Sequence, residues 1–299
     1  MSRYRVICDH RYNRYWKYVF SKLIAVALFS LAGFLAQSLS GQTPPAWPCV
    51  AGRAIDPAYV RVAENTGGQV FLFDRSEAGR SLVLMREGMT HRETVFRATG
   101  TLASGYRDFQ FPVDTTIESL LFSISLQCAQ SVVIYRPSGT ELDSSAPGMD
   151  DNRYRAGRIV VMSRPEPGVW QVRIVGSGLF FALVEAKSDV SLHSVQFVQL
   201  GGRPGHEGYF PMTAPPRLNV AQMLAASVSG SGVTGFRVVD AANATVQSLE
   251  LAADENGAEG EFYGSVIPSR KDFRIVVEGR DSRGYPYQRI FPRLFHAEP

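Results

Sequence analysis

A two-residue alternation of apolar and polar side chains, sustained from Phe109 onward, constrains the fold more than any other feature of the sequence. In Leu121–Gln127 (LFSISLQ) every second residue from Phe122 is apolar, and the polar residues lie between them. Successive side chains of a strand point to opposite faces, so this segment is predicted to be a half-buried β-strand. Leu179–Val184 is apolar at every position, which is typical of a central strand.

Turn sequences separate these strands at short intervals. Arg136–Gly139 (RPSG) combines a proline that presets φ with a glycine that accepts positive φ, and Pro165–Gly168 (PEPG) is predicted to be a hairpin turn. Gly176–Gly178 is also predicted to be a turn. Further strands are predicted at Ser131–Tyr135, Arg158–Met162, Val169–Val175, Val195–Leu200, Gly235–Val239, Thr245–Leu251, Glu261–Ile267, Phe273–Glu278 and Tyr287–Phe291. Short strands without intervening helices predict an all-β protein with two tandem antiparallel β-sandwiches.

The division into domains follows from composition. Residues 201–216, rich in Gly and Pro, are predicted to be a linker between a sandwich at 101–200 and another at 217–299. The second has the length and strand spacing of an immunoglobulin-like domain, and no cysteine follows Cys128 to supply its intersheet disulfide. Over all 299 residues, 45% are hydrophobic and 20% charged, which excludes wholesale disorder.

Residues 1–40 are predicted to be a signal peptide or a signal anchor. Leu23–Ala36 (LIAVALFSLAGFLA) is an apolar run behind Lys22 and a cationic stretch, shorter than the ~20 residues of a spanning helix. Cleavage before Gly41 is favoured, and an uncleaved anchor or an internal helix are the alternatives. We therefore expect a secreted, cell-envelope or periplasmic protein that touches a membrane only through an uncleaved signal.

The positive charge is concentrated in the same forty residues. The formal net charge is +3, but residues 1–40 hold six Lys or Arg residues and a single Asp. The remaining 25 basic and 27 acidic residues give the body of the protein a net charge of −2. A nearly neutral body argues against a phosphate-binding surface, so nucleic acid is not expected as a partner.

Two cysteines, Cys49 and Cys128, remain beyond the first forty residues. In an oxidising compartment they are candidates for a disulfide that ties an N-terminal segment to the following domain, and two separate buried thiols are the alternative. Two cysteines without a histidine at ligand spacing cannot complete a tetrahedral zinc site.

Residues 41–100 predict a short α/β fragment. Asp56–Pro57 supplies an N-cap and a first-turn proline for a helix at Ala58–Glu64, which glycines end at 67–68. Gln69–Phe73 is predicted to be a buried strand. Ser76–Arg97 fits either an amphipathic helix or a strand and loop.

The polar loop at 141–155 offers oxygen ligands for a cation. Asp143, Asp150 and Asp151 could contribute to a Ca²⁺ site, which needs about 6–8 oxygens, although their spacing matches no EF-hand. A solvated loop is the alternative. Apart from Ca²⁺, no cofactor is expected.

Aromatic and cationic residues at the end of the same loop suggest a sugar site. Arg153, Tyr154 and Arg155 could stack on and hydrogen-bond a saccharide at the rim of the sandwich. A charged sheet edge that discourages aggregation is the alternative. His206, inside the predicted linker, is a further candidate for ligand binding or for a hydrogen bond at the domain junction.

Catalytic motifs are missing from the sequence. Ser177 and the serines at 229–231 lie among glycines, but without the Gly-x-Ser-x-Gly spacing of a hydrolase. The histidines are scattered and form no His-x-x-x-His pair. The protein is therefore expected not to be an enzyme.

Three stretches, in this order, resemble a known family. They are Phe111–Asp114 (FPVD) followed by SLLFSIS and RPSG, then Pro165–Trp170 (PEPGVW), then Gly202–Gly208 (GRPGHEG). They resemble the region that follows the von Willebrand factor A domain in hemicentins and related proteins. The resemblance covers about residues 57–297 and implies a galactose-binding-like β-sandwich followed by an immunoglobulin-like domain, with matrix or surface binding.

Asp56–Phe73 resembles the last helix and strand of such an A domain. The Asp-x-Ser-x-Ser sequence with which A domains bind metal does not occur here, since Asp74–Ser76 continues with Glu77 and Asp189–Ser191 continues with Leu192. Residues 41–100 therefore resemble a leader and an A-domain remnant, to which metal-dependent adhesion is not carried over.

These observations favour a non-catalytic, exported binding or adhesion protein. It would recognise a surface or matrix glycan or protein through rim loops of its β-sandwiches. The alternative is a structural spacer of the cell envelope without a ligand of its own. A fold name that includes galactose does not by itself imply a sugar ligand.

Overall fold

The computed structural model describes residues 25–26, 49, 55–88, 90, 92–145, 147–205, 207–230, 232–253 and 259–299. The elements in chain order are β1 (Ala25–Val26), α1 (Pro57–Thr66), β2 (Val70–Phe71), a 3₁₀ helix (Arg75–Ser81), α2 (Leu82–Gly88), β3 (Glu93–Leu102), β4 (Tyr106–Val113), β5 (Ile117–Tyr135), β6 (Met149–Tyr154), β7 (Gly157–Ser163), β8 (Gly168–Ser188), β9 (Ser191–Gly201), β10 (Gly208–Pro211), β11 (Gln222–Ser229), β12 (Val233–Val239), β13 (Thr245–Leu249), β14 (Ala252–Ala253), β15 (Glu261–Val266), β16 (Asp272–Arg280), β17 (Pro286–Ile290) and β18 (Phe295–His296). Apart from the β1–β2 pair, the strand pairs in the sheets are antiparallel, which confirms the predicted all-β class.

The first sandwich is organised by two long strands, β5 and β8, which pair with each other along most of their length. Their first and last portions contribute to different halves of the sandwich. In the proximal half, β3 and β7 flank residues 117–126 of β5 and 179–186 of β8. In the distal half, β4 flanks residues 169–175 of β8, which in turn pair with residues 131–135 of β5. Side chains from both halves form one core around the fully buried Trp170.

The turn predicted at Gly176–Gly178 is wrong, because β8 continues through it. Cys128 lies opposite Ser177 at a register shift in β5, and a Cβ on Gly176 would stand 2.1 Å from the Cys128 carbonyl oxygen. Gly176 has φ 143°, a conformation that side chains rarely adopt. The glycine therefore allows two backbones to approach closely at an irregular point of the sheet.

The predicted N-terminal helix is confirmed as α1, with Asp56 as its N-cap. The Asp56 side chain accepts a hydrogen bond from the Ala58 backbone N–H (2.8 Å), and Gly67 ends the helix in the left-handed conformation. The ambiguous segment 76–97 contains the rest of the 3₁₀ helix, then α2 and the start of β3.

The α/β fragment covers the outward face of the proximal half. Phe71 and Phe73 pack with Leu121 and Ile159 of the sandwich. The Leu72 backbone N–H donates to Ser125 Oγ (3.2 Å). The polar face of 121–127, predicted to face solvent, is therefore buried at its serines, because β2 lies over it.

The predicted signal at residues 1–40 falls outside the described residues except at Ala25–Val26. There the backbone is extended and pairs in parallel with Val70–Phe71, whereas a helix was expected. An extended apolar segment can satisfy its backbone groups on a short strand such as β2. Within the described residues, no helix is long and apolar enough to cross a bilayer.

The second sandwich begins earlier than predicted. Strand β9 pairs with β10 and β11, and its Leu192, Val195 and Phe197 belong to the second core. The order of its two sheets is β10-β9-β11-β15-β14 and β13-β12-β16-β17. The predicted linker at 201–216 contains β10, because a four-residue strand is too short to show an alternation that could override its Gly and Pro content.

Buried charges join the two sandwiches. Arg289 of β17 donates from Nη2 to Asp114 Oδ2 (2.8 Å) and to Ser188 Oγ (2.6 Å), and from Nε to the Val190 carbonyl (3.0 Å). Glu93 of β3 accepts from Ser191 Oγ (2.6 Å). The junction is therefore specified by directional hydrogen bonds as well as by packing.

Helix α1 is part of the same junction. Glu64 forms ion pairs with Arg97 of the first sandwich (3.3 Å) and with Arg274 of the second. Burial lowers the pKa of Arg97 to about 10, although the charge of Glu185 opposes this, and burial lowers the pKa of Arg274 to about 10. Both guanidinium groups therefore remain charged at neutral pH.

Candidate functional site

The predicted sugar-stacking residue Tyr154 does not lie in an open site. Its ring packs edge-on against Phe71 and Phe73, and the guanidinium of Arg80 lies 4.6 Å from its centroid. Its hydroxyl donates to the Arg80 carbonyl (2.9 Å). Tyr154 therefore holds the α/β fragment on the sandwich and is not available as a stacking platform.

The neighbouring arginines are exposed but engaged locally. Arg153 lies 3.4 Å from Asp151, and Arg155 lies 3.3 Å from Asp74. Because the ring between them is buried, the predicted combination of an open aromatic face and two cations does not form there. His206, the fourth predicted ligand-binding residue, lies outside the described residues.

The three aspartates predicted for Ca²⁺ point to separate partners. Asp151 accepts two hydrogen bonds of 2.8 Å from the buried Arg158. Asp143 accepts from Ser145, and Asp150 accepts from Asn152. In the described part of the chain, no group of three or more His, Cys, Asp or Glu residues could hold a metal ion.

The distal half of the first sandwich presents a different polar and aromatic surface. Because Phe109, Phe111 and Trp170 point into the core, the alternate residues of β4, β5 and β8 point outward. Asp108 lies opposite Arg173, and Gln110 opposite Gln171, in the β4–β8 ladder. We call this surface the Tyr–Arg face and define it by Tyr106, Asp108, Gln110, Tyr135, Gln171 and Arg173.

A rigid ion pair lies at the centre of the Tyr–Arg face. Arg173 donates from Nε to Asp108 Oδ1 and from Nη2 to Asp108 Oδ2, both at 2.7 Å. Its guanidinium carbon lies 4.7 Å from the ring centroid of Tyr106 and 5.7 Å from that of Tyr135. Two rings and a two-point hydrogen bond therefore fix a guanidinium that stays accessible to solvent.

Hydrogen bonding keeps this pair ionised. Hydrogen bonds from Arg173 are the main cause that holds the pKa of Asp108 below its ordinary value, and partial burial opposes them. The same bonds raise the pKa of Arg173 above its ordinary value.

A shallow cavity of about 480 Å³ opens beside the ion pair. Its polar lining consists of Gln110, Tyr135, Arg136, Gln171 and Arg173, and its remaining lining residues are Pro137, Gly139 and Val169. Among the described lining residues there is no Ser, Cys or His that could act as a nucleophile or base. The lining offers hydrogen bonds and a ring edge, which are means of binding a ligand.

The sequence contained part of the signal for this site. The alternation in 169–175 already placed Gln171 and Arg173 on the side away from the core. Tyr106 and Tyr135 join them only through the pairing of β4 and β5 with β8, which the sequence did not reveal.

Fold and site together define an all-β protein of two antiparallel sandwiches with an exposed polar and aromatic face on the first. No family model matches the chain. It is 22% identical to mouse (Mus musculus) hemicentin-1 over 253 residues, and 21% identical to human (Homo sapiens) hemicentin-1 over 248 residues. Each match covers 78% of this chain, which spans only 4% of the length of these curated relatives.

Two solved structures show weaker likenesses. A Bacillus licheniformis lipase in its propeptide form has 11% identity over 69% of this chain and 47% of its own, with a TM-score of 0.27. Apo β-glucuronidase 3 of Bacteroides uniformis has 12% identity over 66% of this chain and 28% of its own, with a TM-score of 0.23. With TM-scores this low, neither likeness indicates a shared fold or activity.

Proposed function

We propose that this is a non-catalytic, exported adhesion protein that binds a surface or matrix glycan or protein through the Tyr–Arg face. The observation that carries the proposal is the partly exposed Arg173, which Asp108 and two tyrosine rings hold in one geometry. A charged side chain on a sheet surface keeps a protein soluble whether or not its geometry is fixed, so solubility does not account for this arrangement. A fixed group loses little conformational entropy when it binds a ligand.

The similarity to hemicentin-1 supports this proposal. We infer that the chain corresponds to the region after an A domain, with a galactose-binding-like sandwich, an immunoglobulin-like sandwich and an A-domain remnant in α1 and β2. The Cys49–Cys128 disulfide supports export to an oxidising compartment, either secreted or in the cell envelope. Nucleic acid is not a partner in this proposal, and a membrane is contacted only through an uncleaved signal.

The test compares two solvent-accessible arginines on different faces, the partly exposed Arg173 and the exposed Arg153. The exported protein and its Arg173→Ala and Arg153→Ala variants are incubated with isolated cell-surface and matrix material, and the bound fraction is titrated. We expect Arg173→Ala to weaken binding by about tenfold or more, as for a central binding residue, and Arg153→Ala to bind as the parent does. The reverse result would favour the loop at 141–155, and no binding by the parent would refute the adhesion proposal.

The second candidate function is that of a structural spacer. The buried charges at the junction favour it, because they fix one sandwich against the other. Cells that lack the protein are complemented with Arg173→Ala or Arg289→Met. A spacer predicts that Arg173→Ala restores the parental phenotype and that Arg289→Met does not. An adhesion protein that uses the Tyr–Arg face predicts that Arg173→Ala fails.

A further inference from the structure

The cavity on the Tyr–Arg face indicates the chemical class of its ligand. Resting on the adhesion function proposed above, we propose that this cavity binds an uncharged saccharide unit of a surface or matrix glycan. Its charge balance, its hydrogen-bonding groups and the arrangement of the sheet backbone each contribute to this assignment.

Charge balance disfavours an anionic ligand. Arg173 is neutralised by Asp108 at 2.7 Å, and Arg136 stands 3.7 Å from Glu166. Each of the two cations at the cavity therefore has a carboxylate neighbour, which weakens the attraction of the cavity for an anion. The site therefore offers hydrogen-bond donors but no net charge, so its ligand need not be charged.

The hydrogen-bonding groups suit a polyhydroxyl ligand. Arg173 uses Nε and Nη2 for Asp108, which leaves the two N–H groups of Nη1. Gln110 donates from Nε2 to Gln171 Oε1 (3.3 Å), and the Gln171 side chain also hydrogen-bonds Asp108, so Gln171 orients the Gln110 amide and leaves Gln110 Oε1 as an acceptor. Tyr135 adds a hydroxyl that both donates and accepts. Sugar hydroxyls also donate and accept, so this mixed set can be satisfied by neighbouring hydroxyls of one ring.

Apolar surface lies next to these hydrogen-bonding groups on the same face of the sheet. Tyr106 is 63% exposed, and Val169 is 51% exposed on the same face of the sheet. The C–H faces of a saccharide ring can pack on such surfaces while its hydroxyls reach the amides and the guanidinium.

The backbone argues against an extended peptide. Strand β8, which carries Gln171 and Arg173, is paired on both sides, with β4 and with the end of β5, so its N–H and C=O groups beneath the cavity are used within the sheet. A peptide that adds as a strand needs a free sheet edge, and the cavity lies on the flat of the sheet.

The experiment uses the exported full chain on an array of neutral gluco-, galacto- and manno-oligosaccharides together with hexuronate-containing and sulfated glycans. The strongest neutral binder is then titrated calorimetrically against the parent, Gln171→Ala, Tyr135→Phe and Gln199→Ala. Gln199 is an exposed glutamine on β9 and serves as the matched control. Thermal unfolding of each variant shows that it is folded.

We expect binding of neutral oligosaccharides, weakened about tenfold by Gln171→Ala and several-fold by Tyr135→Phe, and unchanged by Gln199→Ala. Binding of charged glycans alone, or equal affinity of Gln171→Ala and the parent, would overturn the saccharide assignment. If surface binding depends on Arg173 but neutral oligosaccharides do not compete with it, the assignment fails and the adhesion proposal stands. If the parent binds no surface material, the adhesion proposal itself fails.

Discussion

Asp114 and Arg289 form an ion pair across the junction of the two sandwiches, with an Nη2–Oδ2 distance of 2.8 Å and no exposed side-chain surface on either residue. They are 175 residues apart in the chain. Arg289 also binds the Ser188 hydroxyl and the Val190 carbonyl, so both its charge and its donors are satisfied inside the junction. A buried pair with such partners matters mainly because neither member can be removed alone without exposing the other to an apolar environment.

We therefore predict that Arg289→Met lowers the free energy of unfolding by about 3–5 kcal/mol, because it leaves the Asp114 carboxylate buried without its cation. Urea unfolding followed by circular dichroism and by tryptophan fluorescence measures this loss. The Asp114→Asn/Arg289→Met double variant should lose less than the two single losses combined. Arg153→Ala, on the surface, should leave the free energy nearly unchanged. Additive losses in the double variant would contradict a direct coupling.

Gly176 provides a test of the close backbone approach in the first sandwich. Its Cβ would lie 2.1 Å from the Cys128 carbonyl oxygen and 2.8 Å from Leu126 Cδ2. Gly176→Ala is therefore expected to destabilise the protein by about 1–3 kcal/mol, through strain at this φ and through displacement of β5. Gly235→Ala in β12 is the control, since nothing lies within 4 Å of its Cβ position. Equal thermal midpoints for the two variants would show that β5 and β8 separate easily at this point.

The sequence predicts best what is determined locally. Helix α1 could be predicted because Asp56, Pro57 and Gly67 act on the same few peptide units. The inward residues of the first sandwich could be predicted because alternation is a property of each strand alone. Gly176–Gly178 was predicted to be a turn because the sequence cannot distinguish a glycine that avoids a clash between strands from a glycine that reverses the chain.

The candidate site could not be predicted, since it depends on pairing between distant segments. Arg173 meets Asp108 only in the observed β4–β8 register, and it meets Tyr135 only through β5. Tyr154 was misassigned for the same reason, because the fragment that buries it comes from residues 71–80. Strand β9 was placed in the wrong sandwich because neighbours in sequence were assumed to be neighbours in the sheet.

The Asp108–Arg173 pair predicts a specific pH dependence of stability. Because hydrogen bonds from Arg173 lower the pKa of Asp108 in the folded state, the ionised carboxylate stabilises the fold. The contribution is complete above the ordinary value of 3.8 and disappears as the pH falls through the lower, folded-state value. The difference in unfolding free energy between the parent and Asp108→Asn should thus be constant from pH 7 to about 5 and shrink only below about pH 4. In an Arg173→Met background the difference in unfolding free energy that Asp108→Asn causes should no longer depend on pH in this range. If the difference between the parent and Asp108→Asn began to shrink near pH 6, the Asp108 carboxylate would not be the group responsible.

The Cys49–Cys128 disulfide closes a loop of 79 residues and attaches the segment before α1 to the point where β5 and β8 shift register. Chain entropy alone predicts that it stabilises the protein by about 4 kcal/mol, because the unfolded chain loses freedom when the loop is closed. We expect Cys49→Ser to lower the urea midpoint of the oxidised protein to that of the parent in dithiothreitol, and dithiothreitol to leave Cys49→Ser unchanged. Mass spectrometry of non-reduced peptides identifies the linked pair. If the linked peptide is present but dithiothreitol does not change the urea midpoint of the parent, the disulfide does not stabilise the folded protein relative to the unfolded chain.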